Sequence, residues 1–199
     1  MSSSLVLPLA APFLVRSTPA RLDAEILRRA RAGDETAISQ ILETQRAPML
    51  HLAFSILRDR ESAEDAAQEI FVRALQKLPS FRGQSEFSTW LYRVALSVCL
   101  EKQRAQKRRN QLAPPCDLNE NDAPQRDFSR QIETRLALET ALDALDENSR
   151  IALLLREWHG LSYEEIAQVL RVPVGTVKSR LSKARERFTQ IWEAQHGEI

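Results

Sequence analysis

The side chains best placed to do chemistry on this chain are cations. Between Arg171 and Arg187 stand six basic residues, Arg171, Lys178, Arg180, Lys183, Arg185 and Arg187, against one acid, Glu186. Guanidinium and ammonium groups donate to phosphate oxygens and to the acceptor edge of guanine. The segment that carries them, LSYEEIAQVLRVPVGTVKSRLSKARERF (Leu161–Phe188), reads as two short helices around a tight turn. Ser162 precedes Glu165 by three residues, the spacing of a capping box. Ile166, Val169 and Leu170 recur at helical spacing. Arg171-Val172-Pro173 breaks the pattern, because proline lacks a donor and biases its predecessor away from helix. Val177, Leu181, Ala184, Phe188 and Ile191 then fall on one stripe of a second helix. A basic helix face alone is usually only solvated. Following a helix-turn-helix spacing, it points to a helix that enters the major groove of DNA.

A second constellation lies in Phe81–Arg104. Aromatic residues (Phe81, Phe87, Trp90, Tyr92) alternate with cations (Arg82, Arg93, Lys102, Arg104). Aromatic faces stack on unpaired bases while cations follow the backbone, which is how single strands are held. Core packing is the competing role: it is favoured for Phe87 and Leu91, while Trp90 fits either. A third sits on the amphipathic stretch Ser62–Leu78. There Asp65, Glu69 and Arg73 are one turn apart, with Gln68 beside them, opposite the apolar Ala66, Ala67, Ile70, Phe71, Ala74, Leu75 and Leu78. Nothing resembles a catalytic centre. His51, His159 and His196 are far apart, and Cys99 and Cys116 lack metal-ligand spacing. No phosphate-binding loop is present. No catalytic residue, metal ligand, cofactor or small-molecule substrate is expected.

These segments need helices to carry them. The chain has 199 residues, a net charge of +1 and only five glycines. Helix formers abound, so the expected fold is all-α. The near balance of charge leaves no global basic field, so affinity for nucleic acid must come from local patches. The two cysteines fit a reducing compartment. The apolar stretch Leu5–Val15 has no Lys or Arg before Arg16, contains Pro8 and Pro12, and is too short to span a bilayer. It reads as part of a disordered or loosely docked extension, residues 1–21.

Residues 22–104 are expected to form a first helical domain. Its helices are Leu22–Ala32, Glu35–Gln45 capped by Asp34, Met49–Leu57 opened by Pro48, Ser62–Leu78 closed by Pro79, and Phe87–Arg104. Residues 105–128 read as a flexible linker, because Gln111–Asp127 holds three prolines and no helical period. A second domain, residues 129–194, has a first helix around Leu136–Leu145. A second, Ser149–Trp158, is capped by Ser149 and ended at Gly160. The helix-turn-helix follows.

Two small helical domains, a flexible linker and a C-terminal helix-turn-helix resemble the extracytoplasmic-function (ECF) sigma factors of the sigma-70 family. The resemblance covers about Leu22 to Trp192. It rests on AEDAAQEIFVRAL (Ala63–Leu75), FRGQSEFSTWLYRVALSVCLEKQR (Phe81–Arg104) and the helix-turn-helix block, in that order. It implies a cytoplasmic protein that is not an enzyme but a subunit directing core RNA polymerase to promoters. The partners implied are core polymerase through its β′ coiled coil, promoter DNA and an anti-sigma factor. On the matching motifs, Asp65, Gln68, Glu69 and Arg73 fall on the polymerase-docking helix. Phe81, Arg82, Gly83, Gln84 and Ser85 fall in the loop that captures a flipped base of the −10 element. Trp90, Arg93 and Ser97 lie on the helix that follows. Lys178, Ser179, Ser182 and Lys183 fall on base-contact positions for the −35 element, with Thr176, Arg180 and Arg185 nearer to phosphates.

The chain departs from the family pattern twice. Many relatives have Asn at the position of Ser97, where serine is shorter and less discriminating. Many have Gly at the position of Arg171. If that residue needs positive φ, arginine is destabilising there by roughly 1 kcal/mol. The competing reading is a stand-alone helix-turn-helix regulator. It leaves the aromatic and basic block Phe81–Arg104 without a purpose, because a reader of duplex alone has no use for base-stacking rings.

Overall fold

The computed structural model describes residues 22–112, 138 and 140–196. Every regular element among them is a helix, as composition requires. Helix α1 spans Ala24–Arg31, α2 Glu35–Leu57, α3 Arg60–Lys77 and α4 Phe87–Leu112, with a 3₁₀ turn at Leu78–Ser80. In the C-terminal part, α5 spans Glu147–Glu157, α6 Tyr163–Leu170 and α7 Val174–His196. No helix among the described residues is long and apolar enough to cross a membrane.

The helix starts follow from side chains that satisfy orphan backbone donors. Asp34 accepts from the N–H groups of Thr36 and Ala37 at 2.9 and 3.2 Å. Asp59 accepts from Ser62 N–H at 2.8 Å, so α3 begins at Arg60, two residues before the predicted Ser62. The predicted Ser149 cap is corrected in the same way. Asp146 is the cap, its Oδ1 accepting from Ser149 N–H at 3.0 Å, and Ser149 lies buried in the first turn. Ser162 and Glu165 form the predicted capping box: Glu165 N–H donates to Ser162 Oγ at 3.1 Å and Ser162 N–H donates to Glu165 Oε2 at 2.7 Å.

Two other boundaries differ from the sequence reading. Glu35–Gln45 and Met49–Leu57 are one helix, α2, with Pro48 inside it. Proline in a helix interior costs about 3 kcal/mol. Here Ala37, Ile41, Pro48, Met49, Leu52, Ala53, Ile56 and Leu57 are all buried, and burying one large apolar side chain stabilises by about 1.5–3 kcal/mol. Packing outweighs the break. Helix α4 continues beyond Arg104 to Leu112, so Lys107, Arg108 and Arg109 stand on a helix rather than at the start of the linker.

Helices α1 to α4 pack on one another, with α2, α3 and α4 in mutual contact. Helices α5, α6 and α7 form a second packed group. The groups also touch: α4 lies against α6, and α2 against α5. Buried residues from both belong to one continuous apolar cluster.

Candidate nucleic-acid and polymerase interfaces

The first interface is built on α7. Val177, Leu181, Ala184 and Phe188 are each at most 1% exposed and Ile191 is half-buried beside them, so the predicted stripe faces the core shared with α5 and α6. Inward placement of that stripe turns the other face out. Lys178, Ser179, Ser182 and Lys183 are exposed, and Thr176 and Arg180 are half-buried at its margin. Ser179 Oγ donates to the Thr176 carbonyl at 3.0 Å. Lys178 and Lys183 are five positions apart, on a surface able to meet a base edge or a phosphate. Arg185 is placed differently. Its Nη2 donates to Glu157 Oε1 at 2.7 Å and its Nη1 to Tyr163 Oη at 3.5 Å. It therefore clamps α7 to α5 and α6, and the role nearer to phosphate does not match this position. The turn before α7 places Arg171 at φ 55°, ψ 47°, the left-handed region that favours glycine.

The second interface is the loop before α4 and the first turns of that helix. Phe81, Phe87 and Trp90 make a ring cluster with centroids 5.8, 5.2 and 5.4 Å apart. Phe81 is 6% and Phe87 7% exposed, so both are core residues that brace the loop. Trp90 is half-buried, the most exposed of the three. Arg82, Gly83 and Gln84 are exposed at the loop tip, and Gly83 takes φ 69°. Ser85 is held from behind, since Arg93 Nη2 donates to its Oγ at 3.0 Å. The loop thus has an open tip on a rigid aromatic base. Ser97 is exposed two turns further on, but its hydroxyl donates to Glu101 Oε1 at 2.9 Å.

The third interface is the polar side of α3. Asp65 and Gln68 are exposed. Glu69 and Arg73 are half-buried in a network that joins α3 to α4. Arg73 donates to Glu69 and to Glu101, and Lys102 Nζ lies 3.3 Å from Glu69. Arg73, then Ser97, holds the Glu101 carboxyl below the usual range. Among the four predicted residues, Asp65 and Gln68 form an outward pair, while Glu69 and Arg73 also bind the helices together. Val72, 55% exposed, lies on the outward side with them.

Sequence reasoning did not find the contacts between the two helical groups. Tyr92 Oη lies 3.0 Å from His159 Nδ1, both side chains being buried. Asp143 accepts from Arg58 and, at 3.2 Å, from Arg150. Tyr92 and His159 are 67 positions apart, so no spacing rule could pair them. Among the described residues, no group of three or more His, Cys, Asp or Glu is arranged to hold a metal ion.

Comparison with known proteins places both helical groups in one family. The family description "Sigma-70 region 2" fits residues 42–109 and "Sigma-70, region 4" fits residues 135–188. The RNA polymerase sigma-H factor of Pseudomonas aeruginosa is 36% identical, over 82% of this chain and 90% of its own. The ECF RNA polymerase sigma factor SigM of Mycobacterium tuberculosis is 34% identical, over 86% and 85%. Among solved structures, the sigma factor RpoE of Bartonella quintana, in complex with the anti-sigma factor NepR, shares 25% identity. It superposes with a TM-score of 0.61 over 78% of this chain and 96% of its own. This chain belongs to the sigma-70 family, as an alternative sigma factor of the ECF type that directs RNA polymerase to promoters.

Proposed function

We propose that this sigma factor divides promoter recognition between its two helical groups. The outward face of α7, with Lys178, Ser179, Ser182 and Lys183, reads the −35 element in the major groove, and Thr176 and Arg180 approach phosphates. The loop tip Arg82–Gln84, with Ser85, Trp90, Arg93 and Ser97 around it, captures an unpaired base of the −10 element. Flipping a base costs a few kcal/mol, which stacking and hydrogen bonds in a pocket offset. Asp65 and Gln68 dock on the β′ coiled coil of core polymerase, with Glu69 and Arg73 shaping that face. The protein works in the cytoplasm without chemistry of its own, and an anti-sigma factor is a natural partner.

One observation carries this reading. The three faces are open in the one chain: a basic helix surface, an aromatic-braced loop and an acidic helix stripe. A duplex-only regulator needs the first and not the other two. Run-off transcription with purified core polymerase, with and without this protein, tests it. Promoter-specific transcripts that disappear with Asp65→Ala and Gln68→Ala are expected. Tight duplex binding by the protein alone, with no transcripts, would instead favour a stand-alone regulator.

A further inference from the structure

Helix α4 carries six basic residues, Arg93, Lys102, Arg104, Lys107, Arg108 and Arg109, and one acid, Glu101. The acid is not hidden. Its side chain is 49% exposed, and it shares a stripe with Arg93, Ser97, Arg104 and Arg108 at spacings of three and four. Ser97, Arg104 and Arg108 are exposed along with it. Leu91, Ala95 and Val98 hold the opposite side of the helix in the core. A carboxylate on a cationic stripe opposes the phosphates that the cations attract, so general affinity for nucleic acid gains nothing from it.

Two donors fix this carboxylate. Ser97 Oγ donates to its Oε1 at 2.9 Å, and Arg73 Nη1 donates to its Oε2 at 2.7 Å. Arg73, then Ser97, holds the carboxyl below its ordinary range, so at neutral pH it is an anion that only accepts. An ionised carboxylate has about four acceptor sites. Arg73 and Ser97 take one on each oxygen, which leaves capacity on both at a half-exposed position. Joining α3 to α4 does not require Glu101 alone, because Lys102 on α4 also pairs with Glu69 on α3.

The chemistry of the group selects the base. Cytosine N4 and adenine N6 are the amines on the major-groove edge, where guanine offers the acceptors O6 and N7 and thymine the acceptor O4. A fixed anion is repelled by those acceptors. Adenine sets its N7 acceptor beside the amine, and cytosine does not, so cytosine is the better partner. Ser97 and Glu101 are one turn apart, about 6 Å along the helix axis, or roughly two base steps at 3.4 Å. They therefore face neighbouring positions of the element rather than the same one.

We propose that Glu101 determines specificity at one position of the −10 element: its carboxylate, aimed by Arg73 and Ser97, accepts from the N4 amine of a cytosine and turns away guanine and thymine. The proposal rests on the −10 reading argued above. Arg73 is then a positioning residue for recognition as well as a part of the α3 face.

The test is transcription by core polymerase with the full chain, on a promoter library randomised in the −10 and −35 elements, with transcripts counted by template sequence. In the wild type, cytosine is expected to exceed guanine and thymine by about tenfold at one −10 position. A glutamine amide both accepts and donates, and it pairs with adenine N6 and N7. Glu101→Gln is therefore expected to move the preference at that position to adenine, and Glu101→Ala to level it, with the −35 preference unchanged. Loss of a tie between α3 and α4 lowers output from every template together and leaves the base ratios within one variant as they were. Wild-type ratios in both variants, or clear −10 preferences that include no cytosine, overturn the role of Glu101 and leave the −10 reading standing. Wild-type transcription with no base preference anywhere in the −10 element overturns that reading, and the role of Glu101 with it.

Discussion

Arg73 donates from Nη1 to Glu101 Oε2 at 2.7 Å, tying α3, which carries the proposed docking face, to α4, which carries the proposed −10 face. The four residues aligned along α3 therefore differ in what they do. Asp65→Ala and Gln68→Ala should leave stability within about 0.5 kcal/mol and weaken binding to core polymerase. Arg73→Ala removes a partly exposed ion-pair network and should lower stability by about 0.5–1 kcal/mol, besides any effect on docking. Urea midpoints and polymerase affinity measured on the same three variants separate these effects. Equal destabilisation by all three would contradict the division.

Arg171 sits at φ 55°, where a Cβ-bearing residue is strained. Arg171→Gly should raise stability by about 1 kcal/mol, read as a higher urea midpoint at unchanged slope. If Arg171 also contacts a phosphate, the same variant should reduce the salt dependence of DNA binding by about one counterion. An unchanged or lower midpoint would show that the turn tolerates arginine without strain.

Three aspartates cap helices and titrate low. Arg29 and the α2 N–H groups depress Asp34, Ser62 depresses Asp59, and Ser149 depresses Asp146. A carboxyl whose folded value lies below its unfolded one binds fewer protons when folded. Its contribution is fully present above the ordinary aspartate value of about 3.9 and is lost as pH falls below that value through the folded one. Stability should therefore drop below about pH 4. Asparagine caps a helix but does not titrate, so a triple Asp→Asn variant at these positions should show a shallower drop. An identical acid profile would remove the caps from the acid response.

The caps also show what could be read directly. Ser162 with Glu165, Asp34 and the left-handed Gly160 are local devices written in a few adjacent residues, and the structure has all three. The sequence leaves the start of α5 ambiguous because Asp146 and Ser149 are both capping types, and the burial of Ser149 decides for Asp146. Local backbone rules place a helix start at Pro48 because they know nothing of the apolar partners that keep α2 helical through it. Side-chain types and spacing placed Lys178, Lys183, Asp65 and Gln68 on candidate faces. They could not show that Phe81 braces the loop from the core or that Arg185 is tied to Glu157. Those facts depend on which distant helix lies alongside.

Burial pushes the Cys99 thiol up to about 12, leaving almost no thiolate at neutral pH. In Cys116→Ser protein, a maleimide or disulfide reagent at pH 7 should not modify Cys99 until denaturant is added. Rapid stoichiometric labelling of the native protein would show that the α4 face opens readily around this residue.

Ser97 is exposed, yet its hydroxyl turns into the ion network by donating to Glu101. An asparagine there would keep a donor for Glu101 and present a carbonyl outward, adding an acceptor that can face a base edge. One good pair of hydrogen bonds to a base discriminates by about 1–3 kcal/mol. Ser97→Asn should therefore sharpen preference at one −10 position by about tenfold, with preference in the −35 element unchanged. Transcription from a promoter library randomised in both elements reads the two together. Because Ser97 lies on α4 and Lys178 and Lys183 on α7, a change confined to the −10 half would locate Ser97 in the reader of that element. Equal changes in both halves would mean that the substitution acts through the contact between the helical groups, and an unchanged −10 profile would remove Ser97 from recognition.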